Sequence, residues 1–220
     1  MTSSRISDKL VSTSHLPQVA VKAACPWAGK YVLRKDERKM VYLFLADGFE
    51  ITEAMAPLDM LKRAKVEVTT VGIGSRSPRS SAGVQVIADR TDADFVLPED
   101  AEMVVLPGGM PGTTHLMASP VVREVLAEAK RRNLFVAAIC AAPWVLDANG
   151  LLDKRRATMY PTMQTEMEHG VYTEEPVVVD GKVITGRAAG CAVLFGLTLV
   201  TELKGREVAA AVKHSIYPNW

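Results

Sequence analysis

Cys140 stands in the run VAAICAAPWVL, residues 136–146, among small apolar neighbours and three positions ahead of Pro143. Proline suits the first turn of a helix, so a strand ending near Ile139 would turn abruptly into a helix at this cysteine. That is the layout of a nucleophile elbow, with Ala138 and Ala142 flanking the thiol where glycines are more usual. A thiol at a helix N-terminus can have its pKa drawn down to about 3.5–7.5, and only the thiolate attacks. The competing reading is a buried, inert cysteine, the commoner fate of a lone Cys in an apolar run. Spacing alone leaves both open.

Two further groups belong to the same question. Gly108 and Gly109, in LPGGMPG, are either plain turn residues or sites of close backbone approach. In the second case an N–H there and that of Ala141 would face a developing oxyanion. No Lys-Ser/Thr follows the glycines, so this is not a phosphate-binding P-loop. Glu50 and Glu53 lie three apart at the start of a helix, just after Gly48. Carboxylates there are favoured by the helix dipole alone, and for one of the two that account is sufficient.

The elements needed to position these residues follow from the punctuation. MVYLFLA predicts a strand ended by Asp47-Gly48, and EITEAMAPLDMLKRAK a helix with Ile51, Met55, Leu58, Met60 and Leu61 on its apolar face. Pro57 inside it implies a kink or a late start. VEVTTVGI, the shorter GVQVIAD, EMVVLPGG and LFVAAI are the next expected strands. Ser119 and Pro120 supply an N-cap and a first-turn proline for VVREVLAEAKRR. Asp180-Gly181 between two β-branched runs is a hairpin signal. CAVLFGLTLVTELKG and REVAAAVKH close the chain as helices. Strands alternating with helices predict a doubly wound α/β sandwich, a mostly parallel sheet carrying one β-hairpin. In such a sheet ligands sit at the carboxyl ends of the strands. ADGFEITE, LPGGMPG and AICAAP all fall there.

Bulk properties narrow the class. Of 220 residues 48% are apolar, enough for a sizeable core, and no run of about 18 apolar residues suggests a membrane span. Residues 1–39 carry a net +5 and residues 40–220 a net −4. The acidic body has no electrostatic footprint for nucleic acid. Residues 1–39 are expected to be an extension, disordered or targeting, ahead of one domain over 40–220. Three scattered cysteines do not make a disulfide framework and suit a reducing compartment. The expected setting is therefore cytoplasmic, or an organelle if residues 1–39 act as an address.

The blocks FLADGFEITEAMAPLDMLKRAKVEVT, VVLPGGMPG, AAICAAPWVL and VITGRAAG resemble, in order, those of the ThiJ/PfpI superfamily, which is class I glutamine amidotransferase-like. Within it they are most similar to the parkinsonism-associated deglycase branch, and the resemblance spans about Met40 to His214. It implies a flavodoxin-like fold, a homodimer and no cofactor or metal. It makes Cys140 the nucleophile and Glu53 the carboxyl bonded to its sulfur. Glu50 becomes a pocket-shaping acid, Gly109 and Ala141 backbone donors, and Arg187 a residue near the pocket and dimer surface. The implied activity is glyoxalase or deglycase chemistry on a small aldehyde substrate or a glycated protein. A redox-sensing, chaperone-like protein whose cysteine is oxidised is the alternative.

Two departures stand out. Peptidase branches carry His after the cysteine, where this chain has Ala141, so peptidase activity is disfavoured. The deglycase-like branch often has a His in a loop near the sulfur, where this chain has Tyr160, and a phenol with a pKa of about 10 is a poor neutral-pH base. His115, His169 and His214 are isolated and expected at the surface or in packing. Cys191 is expected as a small helix-start residue, and Cys25 belongs to the extension.

Overall fold

The computed structural model describes residues 39–217. Cys25 and nearly all of the expected extension over 1–39 lie outside the described residues. In chain order the elements are β1 (Met40–Ala46), α1 (Ile51–Arg63), β2 (Glu67–Ile73), β3 (Arg90–Thr91), β4 (Ala101–Leu106), α2 (Gly112–Ala118) and α3 (Pro120–Arg131). There follow β5 (Phe135–Ile139), α4 (Pro143–Ala148), β6 (Arg156–Ala157), β7 (Val171–Tyr172), β8 (Val177–Asp180), β9 (Val183–Gly186), α5 (Ala192–Lys204) and α6 (Arg206–Ser215).

Seven strands form one sheet in the order β3-β2-β1-β4-β5-β9-β8. All neighbours are parallel except β8–β9, the expected hairpin, which pairs Asp180 with Val183 and turns through Gly181-Lys182. The flavodoxin-like, doubly wound sandwich is thus the fold. Side chains alternate across it by the two-residue period of a strand. Val41, Leu43 and Leu45 of β1, with Met103 and Val105 of β4, pack on one face against α1, α5 and α6. Tyr42, Phe44 and Ala46, with Val104 and Leu106, pack on the other against α2, α3 and α4. β5 is buried along its whole length, which explains why LFVAAI is continuously apolar rather than alternating.

Helix starts are decided locally. Ser119 accepts a bond from the Val122 N–H and Pro120 opens α3. Glu50 caps α1 by accepting from the Glu53 N–H at 2.7 Å. Pro57 neither delays nor ends α1, which runs through it from Ile51. The fully buried face of α1 is Glu53, Ala54, Pro57, Met60 and Leu61, with Ile51, Met55 and Leu58 only partly buried beside it. A carboxyl therefore occupies the inner stripe of an amphipathic helix.

One expected strand is absent. GVQVIAD makes a single bridge, Arg79 to Gln85, and on the edge of β2 away from β1 only Arg90–Thr91 pairs. Val84 and Ile87 are 51% and 76% exposed, and although Val86 packs against the core and Ala88 is buried, the segment buries too little of its alternation to specify a ladder. Among the described residues no helix is long and apolar enough to cross a membrane.

α1 and α5 meet at Gly196, where a Cβ would lie 2.8 Å from the Pro57 Cα. Gly196→Val should therefore force the helices apart and destabilise the protein by about 1–3 kcal/mol. Urea unfolding followed by circular dichroism checks this. An unchanged midpoint would mean that the contact is not tight.

Candidate active site

Cys140 follows the last residue of β5 with φ at +64°, the left-handed region that costs a non-glycine residue about 1–3 kcal/mol. Its backbone is held from two directions. The Cys140 N–H donates to the Gly186 carbonyl at 2.8 Å, and its own carbonyl accepts from the Tyr160 N–H at 2.8 Å. Pro143 then opens α4. The chain thus passes abruptly from β5 into α4 at Cys140, and the thiol at that turn is half-buried.

Glu53, 1% exposed, reaches the same point from the first turn of α1. Its Oε2 accepts from the Gly108 N–H at 3.0 Å, and its carboxyl is hydrogen-bonded to the Cys140 side chain and to the Ala189 backbone N–H. Gly108 is sterically required. A Cβ there would sit 2.6 Å from Glu53 Oε2 and 2.9 Å from the Cys140 Cβ. Gly109 has φ at +92°, and its Cβ would fall 2.4 Å from the Glu50 nitrogen. The Glu50 N–H in turn donates to the Gly108 carbonyl at 2.9 Å. The loops after β1, β4 and β5 are thus laced together around one thiol and one carboxyl.

Burial dominates the electrostatics of the pair. It lifts Glu53 to about 7, against the pull of its hydrogen bond with Cys140 and with help from the Glu50 charge. Burial also pushes the Cys140 thiol up, and the Glu53 charge and hydrogen bond add to this, while N–H donors of Ala141 and Gly109 pull it back. The expectation of a thiol acidified by the helix start is corrected here. Desolvation and a neighbouring carboxylate outweigh the backbone donors. Above about pH 7 the two acids hold one proton between them and titrate as a unit. Thiolate arises when that proton sits on Glu53.

The remaining expected residues divide. Gly109 and Ala141 do bring N–H groups to the site, and in the resting state these donate to the sulfur. Glu50 is the cap of α1 and a charge felt by Glu53. Tyr160 is joined to Cys140 through its backbone N–H, and the residue is 43% exposed. Arg187 donates to the Glu174 carbonyl at 3.1 Å, and none of its hydrogen bonds runs to Cys140 or Glu53. His115 bonds the Asp47 carbonyl through Nδ1, His214 lies near the Tyr217 ring, and Cys191 stands just ahead of α5 without a side-chain capping bond.

Asp147 escaped sequence reasoning. It is 2% exposed and accepts from the backbone N–H groups of Glu168, His169 and Gly170. It ties α4 to the far end of the segment that carries Tyr160. The available signal was a lone carboxylate inside the apolar PWVLDA helix.

The chain matches the DJ-1/PfpI family over residues 39–202. It is 38% identical over 179 residues to the Parkinson disease protein 7 homolog of Danio rerio, covering 80% of this chain and 95% of that protein. It is 31% identical over 186 residues to the glutathione-independent glyoxalase DJ-1 of Schizosaccharomyces pombe, covering 80% and 97%. Among solved structures, Drosophila melanogaster DJ-1beta superposes with a TM-score of 0.76 at 31% identity, covering 83% of this chain and 99% of that one. An oxidized Toxoplasma gondii DJ-1 superposes with a TM-score of 0.76 at 28% identity, covering 83% and 100%.

A carboxyl raised from 4.5 to about 7 by folding binds its proton more tightly in the native state. Its contribution is therefore favourable at low pH and is lost as pH rises through about 7. Glu53→Gln should leave stability nearly unchanged below pH 4.5 and increase it above neutrality by up to roughly 3 kcal/mol. Thermal unfolding of both proteins across that range checks the sign. A variant less stable than the parent at pH 8 would contradict it.

Proposed function

The chain belongs to the DJ-1/PfpI family, and on that footing we propose that it is a cofactor-independent cysteine enzyme acting on α-oxoaldehydes or early glycation adducts. The observation that carries this reading is Glu53, buried against the Cys140 thiol with a pKa near 7. An acid that exchanges protons at neutral pH is what such chemistry needs. The fission-yeast relative named a glutathione-independent glyoxalase supports the same substrate class.

With methylglyoxal, the proton of the pair moves to Glu53 and the Cys140 sulfur adds to the aldehyde carbon, forming a C–S bond. The N–H groups of Gly109 and Ala141 are the donors assigned to the new oxyanion, and protonation there gives a hemithioacetal. Glu53, again a carboxylate, removes the C–H proton and returns it to the adjacent carbon. The former aldehyde carbon is thereby oxidised to a thioester and the ketone reduced to an alcohol. Water cleaves the thioester, releasing a hydroxy acid and restoring the thiol. No external oxidant or reductant is consumed.

Redox sensing is the second reading, favoured by Tyr160 where the branch often has histidine. There a peroxide oxidises Cys140 and no aldehyde turns over. In either reading the working form is a homodimer in the cytoplasm, and light scattering on the purified chain checks the assembly.

Steady-state assay with methylglyoxal separates the two. Cys140→Ser should abolish turnover. Glu53→Gln should lower kcat by about 10²–10⁴, and Glu50→Gln by far less, because the cap is not the proton carrier. Absence of turnover with any small oxoaldehyde, alongside ready peroxide oxidation of Cys140, would replace the enzyme by the sensor.

A further inference from the structure

A cavity of about 260 Å³ lies among the α3–β5 turn, the segment after α4 and the start of β9. It is at the amino end of β5, whereas Cys140 is at the carboxyl end. Five residues of strand separate them, about 16 Å. Lys130, Arg155 and Lys182 line it, with Asn133 and Asp153. Each cation is positioned by a contact of its own. Lys130 Nζ donates to the Gly150 carbonyl at 2.8 Å, Arg155 Nη1 to the carbonyl and Oδ1 of Asp180 at 3.2 and 3.4 Å. Lys182 Nζ stands 3.6 Å above the Phe135 ring centroid.

Gly181 lies close against the Arg155 guanidinium, and Gly150 faces the Lys130 ammonium at ordinary contact distance. A Cβ on Gly150 would lie 3.4 Å from Lys130 Nζ, and one on Gly181 3.0 Å from Arg155 Nη1. Donors remain to be used, since an ammonium carries three N–H groups and a guanidinium five. Asp153 in the lining and Asp180 beside Arg155 offset two of the three positive charges, leaving the group at a net +1. That balance disfavours a bare polyanion and suits one anionic group accompanied by hydroxyls. Lysine and arginine donors recognise phosphate oxygens, while the Asp153 carboxylate and the Asn133 amide can each pair with a hydroxyl. The volume is below the range of about 300–1,000 Å³ usual for drug-sized ligands. No cysteine, histidine or serine lines the cavity, so the site has no nucleophile of the Cys140 kind.

We propose that this cavity binds a small phosphate monoester bearing hydroxyl groups, at a site separate from Cys140. Glycerol 3-phosphate is the probe, with inorganic phosphate and sodium chloride at matched ionic strength as comparisons, on the full chain. The ester should raise the Tm saturably at millimolar concentration, more than phosphate does and far more than chloride. Amide resonances of Asn133, Gly150 and Gly181 should shift on titration while those of Gly108 and Gly109 stay in place. Lys130→Gln and Lys182→Ala should each weaken binding by roughly tenfold, and Cys140→Ser should bind like the parent. Since Lys130 is exposed, its replacement keeps the test valid if loss of the Lys182 ring contact disturbs folding. Binding unchanged in Lys130→Gln, phosphate binding as tightly as the ester, or shifts confined to Gly108 and Gly109 would each overturn the proposal.

Discussion

Two acids buried side by side resist being charged together, and the candidate site is organised around that constraint. Glu53 and Cys140 each lose solvation on folding, and each makes the other's ionisation harder. One proton between them relieves the conflict. A carboxyl poised near neutrality follows from burial, not from a special chemical group. The same burial makes Glu53 a thermodynamic burden at neutral pH, the stability cost often borne by functional sites.

Bringing the pair together requires backbone that ordinary sequence would not adopt. Cys140 holds a positive φ because β9 and the Tyr160 segment each bond its backbone. Gly108 has no side chain because the carboxyl and the thiol already fill that space. Glu50 takes the cap of α1, which fixes the helix start and leaves Glu53 one turn in, facing the sheet. The carboxyl ends of β1, β4 and β5 supply the three loops, and the core on both faces of the sheet holds those ends in place.

Much of this was legible in the sequence, for physical reasons. Pro143 after small residues announced the abrupt turn from β5 into α4, Ser119-Pro120 the start of α3 and Asp180-Gly181 the hairpin. Continuous apolarity in LFVAAI marked a strand covered on both faces. Other features were hidden because they depend on distant partners. The alternation in GVQVIAD is a genuine strand signal, yet Val84 and Ile87 find no core to face. The inner stripe of α1 includes Glu53, which pattern reading assigns outward because it is charged. The upward push on the thiol needs the position of Glu53, which lies far away in the chain. Asp147 satisfies three backbone groups from another segment, and no local spacing announces that.

The shared proton is tested most directly by the pH dependence of Cys140 alkylation under limiting iodoacetamide, in the parent and in Glu53→Gln. The rate is expected to rise through about pH 7, where the pair loses its first proton, and then to level off. In Glu53→Gln that limb should vanish and reactivity should follow the thiol alone at higher pH. Identical profiles in the two proteins, each rising only near the ordinary thiol value of about 8.5, would contradict the account.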